Sequence, residues 1–345
     1  MRIVQTDFST LMQNYQLEWR RHPKHQVRPG NGYQNGSPYP WILPRANWED
    51  GLYPGIRSNG MHPLTTYLGK HIHAHTGCNN LKSSWTHCAN LYFIFGQSDE
   101  GRALLAGFLR EHVSPMIHSV DELYLEYAES EDSSLHPSRL LGESGGSRGS
   151  GQTSPDLAFH VNGRQGLLLI ENKLTEHSFY RCSARAKTGS DERPANPAPE
   201  RCENMPALLA DHYAQCHQCL WGRKYWDILR PVINDQAMKA LKYCPASNAG
   251  YQLFRQQALA EGIAQSGRYE MVYSCVALDD RNTKLKNCLH RTGITDLESG
   301  WSALFNGKSR FKVFTHQQWI HWVKTRGNLS IWQSWLTYVC DRYGY

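Results

Sequence analysis

Residues 153–176 read TSPDLAFHVNGRQGLLLIENKLTE and carry the strongest structural signal in the chain. Two strand-like runs, 156–161 and 166–170, flank Asn162-Gly163, a dipeptide typical of β-hairpin turns. The second run contains four consecutive aliphatic residues, which indicates a strand buried on both faces. This stretch is therefore predicted to form a β-hairpin in the core of the protein.

Charged residues stand at the open end of the predicted hairpin. Glu171 and Lys173 follow the aliphatic run, and side chains two positions apart on a strand share a face. Asp156 begins the other arm and lies about as far from the turn as Glu171 does. The hairpin should therefore bring two carboxylates and one ammonium group together. A plain buried ion pair is the alternative, because Glu-X-Lys is by itself a common pattern.

Two carboxylates beside a lysine are suited to phosphodiester hydrolysis. Carboxylates bind hard divalent cations such as Mg²⁺ or Mn²⁺. A bound cation lowers the pKa of a coordinated water and stabilises negative charge on a phosphate oxygen. A neighbouring lysine can orient or deprotonate the attacking water and neutralise developing charge.

Pro155-Asp156, fourteen further residues, and then Glu171-Asn172-Lys173 resemble the signature of the PD-(D/E)XK, or restriction-endonuclease-like, nuclease superfamily. The resemblance to a bacterial subgroup extends over about residues 60–325, with the catalytic core at 140–280. The flanking blocks that carry it are Leu81 to Asn90, Leu141-Gly142-Glu143, Arg148-Gly149, Thr153-Ser154 and Lys173 to Glu176.

The resemblance implies an α/β fold whose core is a mixed β-sheet flanked by helices. It implies that Asp156 and Glu171 are metal ligands, that the backbone carbonyl of Asn172 is a further ligand, and that Lys173 is the catalytic lysine. The substrate implied is DNA, and bacterial defence or mobile-element biology is the setting suggested by analogy. A catalytically idle DNA-binding or assembly module with the same fold is the alternative, and an RNA-directed nuclease is a third reading.

Relatives with this signature often add a carboxylate from a preceding helix and a polar residue from a following one. Glu143 is the candidate for the added carboxylate, with Glu126 second. Gln252 and Arg255, on a predicted helix, are candidates to contact the scissile phosphate. The alternative for that helix is an exposed polar face.

The chain contains ten cysteines, and several fall close together. Their spacing suits a structural Zn²⁺ site that would tether a Pro-rich loop, with Cys182, Cys202, Cys216 and either Cys219 or Cys244 as ligands. An iron–sulfur cluster and ordinary buried thiols are the alternatives. His71, His73 and His75 alternate, which would place them on one strand face as metal or phosphate contacts, or else as surface histidines.

Three segments are expected along the chain: an N-terminal elaboration over residues 1–98, a nuclease core over 99–325 with a Cys-rich insertion at 180–220, and a C-terminal extension over 326–345. Helices are predicted over 8–20, 100–113, 205–229, 250–264 and 317–324, and a continuation of helix over 120–128. Strands are predicted over 269–278 and 311–314.

The composition excludes a disordered chain, because 40% of the residues are hydrophobic and 11% are aromatic. No apolar run approaches the roughly 20 residues of a membrane-spanning helix, and no signal peptide is evident, so a cytoplasmic protein without a membrane partner is expected. A homo-oligomer is also possible.

The net charge is +6, and basic residues are in excess after position 280. This excess suits a surface that faces DNA, or else a face that is merely solvated. The residues concerned are Arg281, Lys284, Lys286, Arg291, Lys308, Arg310 and Lys312.

Overall fold

The computed structural model describes residues 7–68, 77–146, 151–185 and 193–345. His71, His73 and His75, and the Arg148-Gly149 part of the resemblance, lie outside the described residues. Within the described ranges, no helix is both long enough and apolar enough to cross a membrane.

The strands are β1 (Gly32–Gln34), β2 (Ser37–Tyr39), β3 (Val120–Leu125), β4 (Leu157–Val161), β5 (Gly166–Lys173), β6 (Met271–Leu278) and β7 (Arg310–Thr315). The helices are α1 (Phe8–Arg21), α2 (Ser84–Tyr92), α3 (Asp99–His112), α4 (Pro137–Leu140), α5 (Met205–Ala210), α6 (His212–Gln215), α7 (His217–Leu220), α8 (Tyr225–Leu229), α9 (Asp235–Lys239), α10 (Tyr251–Gln265), α11 (Thr283–Lys286), α12 (Leu297–Ser302), α13 (His316–Arg326) and α14 (Leu329–Tyr343).

Five of these strands form one mixed sheet in the order β3-β4-β5-β6-β7. The pairs β3–β4 and β4–β5 are antiparallel, whereas β5–β6 and β6–β7 are parallel. The predicted hairpin is present: Val161 pairs with Gly166, and Asn162 and Gly163 in the turn both have positive φ, a conformation that Asn and Gly adopt most readily. The predicted α/β class with a mixed sheet flanked by helices is confirmed.

Apolar side chains leave the central strands alternately toward two cores, as the period of a strand requires. Leu168 and Ile170 belong to a core that also contains Met12 and Tyr343. Leu167 and Leu169 belong to the opposite core, which α10 and the short helices of 205–239 cover. The N-terminal and C-terminal segments thus pack into the same core as one face of the sheet, and the predicted segment boundaries stay a prediction.

Two helix predictions are wrong. Residues 120–125 form the edge strand β3, because Leu123 and Leu125 alternate inward against β4 instead of following a helical period. Residues 205–229 form four short helices, α5 to α8, instead of one long helix. Asn204 and Asp211 cap new helices there, and Gly222 has a φ of +74°.

Candidate active site

The C-terminal end of β5 carries the charged pair of the motif. Because side chains alternate along a strand, Glu171 and Lys173 lie on the same face of β5 as Leu167 and Leu169, which is the face that α10 covers. The Nζ of Lys173 donates to Oε1 of Glu171 at 2.7 Å, and the two side chains are 3% and 8% exposed. The Nζ also lies 5.5 Å from the ring centre of Tyr180. The pair is therefore shielded from water on most sides.

Asp156 lies directly before β4, next to this pair. Leu157 pairs with Ile170 in antiparallel register, so Asp156, which precedes Leu157, lies opposite Glu171, which follows Ile170. An Oδ2 atom of Asp156 accepts a hydrogen bond of 2.8 Å from the backbone N–H of Asn172. The structure thus brings Asp156, Glu171 and Lys173 together, as the hairpin geometry predicts; their catalytic roles stay a prediction.

Burial and mutual charge set the protonation of this cluster. Burial and the negative charge of Glu171 raise the pKa of Asp156 well above its ordinary value, although Lys173 opposes them. Burial lowers the pKa of Lys173, but the charges of Glu171, Glu176 and Asp156 outweigh it, so the net shift is upward. Lys173 is therefore a permanent ammonium group at neutral pH.

Of the two candidates for the added carboxylate, Glu126 is the one beside the cluster. It follows β3 directly, its backbone N–H donates to the carbonyl of Asp156 at 3.0 Å, and it is 6% exposed. Its charge contributes to the raised pKa of Asp156. In the sequence-based prediction it ranked second and lay on a predicted helix; the alternation of Leu123 and Leu125 was the signal that would have placed it at the sheet edge.

Glu143 lies in a different network. Its carboxylate accepts hydrogen bonds from the backbone and hydroxyl of Thr153, from Tyr225 at 2.7 Å and from Arg255 at 3.1 Å. The side chain is fully buried. Its oxygens already have partners that tie the loop before β4 to α8 and α10, so the structure favours a structural role for Glu143 over the predicted ligand role.

The two polar residues predicted on α10 differ in placement. Arg255 is engaged by Glu143 and by Thr153, whose hydroxyl lies 2.9 Å from its Nε. Gln256 donates to the carbonyl of Leu169 at 3.2 Å, and α10 returns directly into β6, so it runs antiparallel to β5. Gln252 is therefore on the turn nearest the end of β5, and its Oε1 is buried without a hydrogen-bond partner among the described residues.

A buried polar network lies beneath the cluster, on the opposite face of β5. The Nδ2 of Asn172 donates to the carbonyl of Ser84 at 2.9 Å and lies 3.3 Å from Nδ1 of His87. The Nε2 of His316 lies 3.0 Å from the carbonyl of Lys173. These contacts fix the end of β5 to α2 and α13, and sequence reasoning did not identify them.

Four of the five candidate cysteines surround one small cavity of about 20 Å³: Cys182, Cys202, Cys216 and Cys244. Cys219 is not part of its lining. Burial raises the pKa of Cys182 to about 11 and that of Cys202 to about 12, so these thiols are neutral at pH 7. The Nε2 of Gln218 lies 3.3 Å from the sulfur of Cys182.

Across the described ranges, no three or more His, Cys, Asp or Glu side chains are grouped so that they could hold a metal ion as they stand. The donor chemistry at the sheet edge nevertheless fits a hard cation. Asp156, Glu171 and Glu126 supply carboxylates, and the Oε1 of Gln252, on the first turn of α10, is a buried acceptor with no hydrogen-bond partner among the described residues. The crowding that raises the pKa of Asp156 is what a divalent cation would relieve.

The basic residues after position 280 fall into two separate places. Arg281, Lys284 and Lys286 follow the end of β6, at the same sheet edge as Lys173, but each is ion-paired, to Asp279, Asp7 and Asp280 respectively. Lys308, Arg310 and Lys312 lie toward the other end of the sheet, where β7 begins. The two groups therefore do not form one basic surface.

A cleft of about 660 Å³ opens beside the cluster. One wall is Thr175, Glu176 and Tyr180, which follow the end of β5; the other includes Lys82 and the start of α2. Tyr180 is 56% exposed and has a φ of +57°. The cleft provides access from solvent to the end of the strand that carries Lys173.

A family model described as a restriction endonuclease associating with ARP matches residues 13–344. No curated protein and no solved structure shows a significant match.

Proposed function

We propose that this chain, which belongs to the family described as restriction endonucleases associating with ARP, is an enzyme that uses a metal ion to hydrolyse phosphodiester bonds in DNA. One observation carries the proposal. Asp156, Glu171 and Lys173 meet at one sheet edge, with a 2.8 Å bond from the Asn172 N–H to Asp156 and a 2.7 Å bond from Lys173 to Glu171. A cleft of about 660 Å³, lined in part by Thr175, Glu176 and Tyr180 after the end of β5, is the proposed approach for the substrate.

The metal ligands in this proposal are Asp156, Glu171, the backbone carbonyl of Asn172 and Glu126. A bound Mg²⁺ or Mn²⁺ supplies a coordinated water of lowered pKa and neutralises charge on the scissile phosphate. Glu171 is bonded to Lys173 in the structure. It would share its carboxylate between the lysine and the cation.

Lys173 acts in this proposal as a fixed positive charge. Because the surrounding carboxylates raise its pKa, the ammonium group keeps its protons at neutral pH and is unsuited to the role of general base. It orients the attacking water and stabilises the charge that develops on the phosphate oxygens. Gln252 is a further candidate in this proposal: its buried Oε1 has no hydrogen-bond partner among the described residues and could accept from the same water or bind a cation.

The experiment is incubation of purified protein with plasmid DNA, linear DNA and RNA in Mg²⁺, Mn²⁺ or EDTA. The proposal expects DNA cleavage in the presence of metal and none in EDTA. DNA binding without cleavage under any metal condition would favour a catalytically idle DNA-binding module instead. Cleavage of RNA alone would change the proposed substrate from DNA to RNA.

A structural Zn²⁺ held by Cys182, Cys202, Cys216 and Cys244 is a separate part of the proposal. Its support is that the four side chains, which come from separate segments between positions 182 and 244, line one cavity. Coordination would deprotonate the thiols, since a bound cation inverts the effect of burial on their pKa. An iron–sulfur cluster is the alternative occupant. The family description also makes ARP a proposed protein partner, which co-purification tests.

A further inference from the structure

The strands β1 and β2 form a small hairpin that projects from the N-terminal part of the chain. Gln34 pairs with Ser37 across the two-residue turn Asn35-Gly36, in which φ is +50° and +78°. Positive φ at both turn positions suits Asn-Gly and gives the twist that a tight hairpin requires. The local sequence therefore specifies a tight two-stranded hairpin.

The base of this hairpin is anchored and its tip is exposed. The N–H of Gly32 donates to the carbonyl of Ile42 at 2.8 Å, and Ile42 is 4% exposed in the core. Toward the tip, Tyr33 is 71% exposed, and residues 34–38 are also exposed. Pro38 faces Tyr33 across the ribbon, and a proline on an edge strand discourages pairing with a further strand. The ribbon is thus built to present side chains.

The hairpin tip and residues that follow Lys173 in the chain line the same cleft. Gln34 and Asn35 line it together with Tyr180, seven residues after Lys173 in the chain. Lys82 and the first turn of α2 also line it. Free N–H groups at a helix start and a lysine attract phosphate. A duplex bound over the cleft would thus meet backbone-binding and base-reading groups next to Tyr180, whose ring centre lies 5.5 Å from the Nζ of Lys173.

We propose that the β1–β2 hairpin reads the sequence of duplex DNA through the major groove; this rests on the proposed function. The major groove admits a two-stranded β-ribbon, and Gln and Asn side chains pair bidentately with adenine there. Gln34 and Asn35 are the reading residues, and adenine is the base they select. Lys82 and the start of α2 hold the backbone, which positions the strand and carries no base preference.

The test is selection of bound molecules from a randomised duplex library by wild-type protein in EDTA, followed by sequencing. Wild type should enrich adenine at one or two positions. Gln34→Ala, and separately Asn35→Gly, which keeps the turn conformation, should each lose about tenfold of that discrimination, since a bidentate base contact carries about 1–3 kcal/mol. Gln236→Ala, an exposed glutamine on α9, is the matched control and should select as wild type does.

The outcomes separate this inference from the proposed function. Wild-type protein that cleaves DNA in Mg²⁺ but selects no base, or hairpin variants that select as wild type does, would overturn the inference and leave the function standing. A hairpin-dependent adenine preference in a protein that cleaves nothing would support the inference and overturn the proposed activity. Thermal unfolding of each variant checks that the exposed substitutions leave the fold intact.

Discussion

Replacing Lys173 with Met should both destabilise the protein and abolish cleavage, and the two effects can be separated. Lys173 and Glu171 are 3% and 8% exposed and 2.7 Å apart. Removing one partner of a buried pair costs about 3–5 kcal/mol, because the other charge stays buried without compensation. Here the loss is aggravated by Asp156, whose pKa Lys173 helps to lower.

The double variant Glu171→Gln, Lys173→Met should recover much of the lost stability. Replacing both members of a buried pair by neutral side chains of similar size is often close to neutral. We therefore expect a coupling energy of at least about 2 kcal/mol from the double-mutant cycle. Both Lys173→Met and the double variant should cleave at least about 100-fold more slowly than wild type, because each lacks a charge that stabilises the transition state.

The assay is urea unfolding of the four proteins in EDTA, paired with plasmid nicking in Mg²⁺. Additive losses of stability in the cycle would show that the two side chains are not coupled as the structure has them. A double variant that is stable and cleaves at the wild-type rate would remove Lys173 from the catalytic machinery.

Three further predictions concern metal content, pH dependence and the two candidate carboxylates. Protein purified without added metal should contain about one zinc per chain by elemental analysis. Cys244→Ser should lose the zinc and Cys288→Ser should keep it; metal-free, folded wild type would contradict this, and absorbance near ~400 nm would indicate an iron–sulfur cluster instead. Burial lowers the pKa of His316 from 6.5 to about 4. Between these two pH values the imidazole is protonated in the unfolded chain and neutral in the folded protein. The free energy of unfolding should thus fall by roughly 3 kcal/mol as the pH drops from 6.5 to 4, and less in His316→Gln. Identical pH profiles would refute this. Glu126→Gln should slow cleavage without loss of stability, whereas Glu143→Gln should lower the free energy of unfolding by about 1–3 kcal/mol; the reverse pattern would exchange their roles.

The hairpin and the charged cluster could be predicted because both depend on local pattern. Asn162-Gly163, the aliphatic run before Glu171 and the equal arm lengths determine which residues meet at the open end. The parallel strands β6 and β7 were also recognisable, since both are short apolar runs next to helical patterns. The mixed sheet then follows from the connections between these elements.

What could not be predicted depends on contacts between distant parts of the chain. The alternation of Leu123 and Leu125 indicates a strand, but only the pairing of that strand with β4 places Glu126 beside Asp156. Glu143 is separated from Arg255 by 112 positions, so its ion pair is invisible to local patterns. The charge of Arg281 suggested a DNA contact, but its guanidinium donates to the distant carbonyls of Tyr343 and Gly344 as well as to Asp279.

The most direct test of the central claim is the initial rate of plasmid nicking by wild type and Asp156→Asn as Mg²⁺ or Mn²⁺ is increased from zero. Asn keeps the shape of the side chain and an oxygen for the Asn172 N–H, but it removes the charge that would bind the cation. Wild type should show no cleavage in EDTA and a rate that rises to saturation with metal, and the variant should stay at least about 100-fold slower. Cleavage that persists in EDTA, or equal rates for the two proteins, would contradict a metal-dependent nuclease site at Asp156.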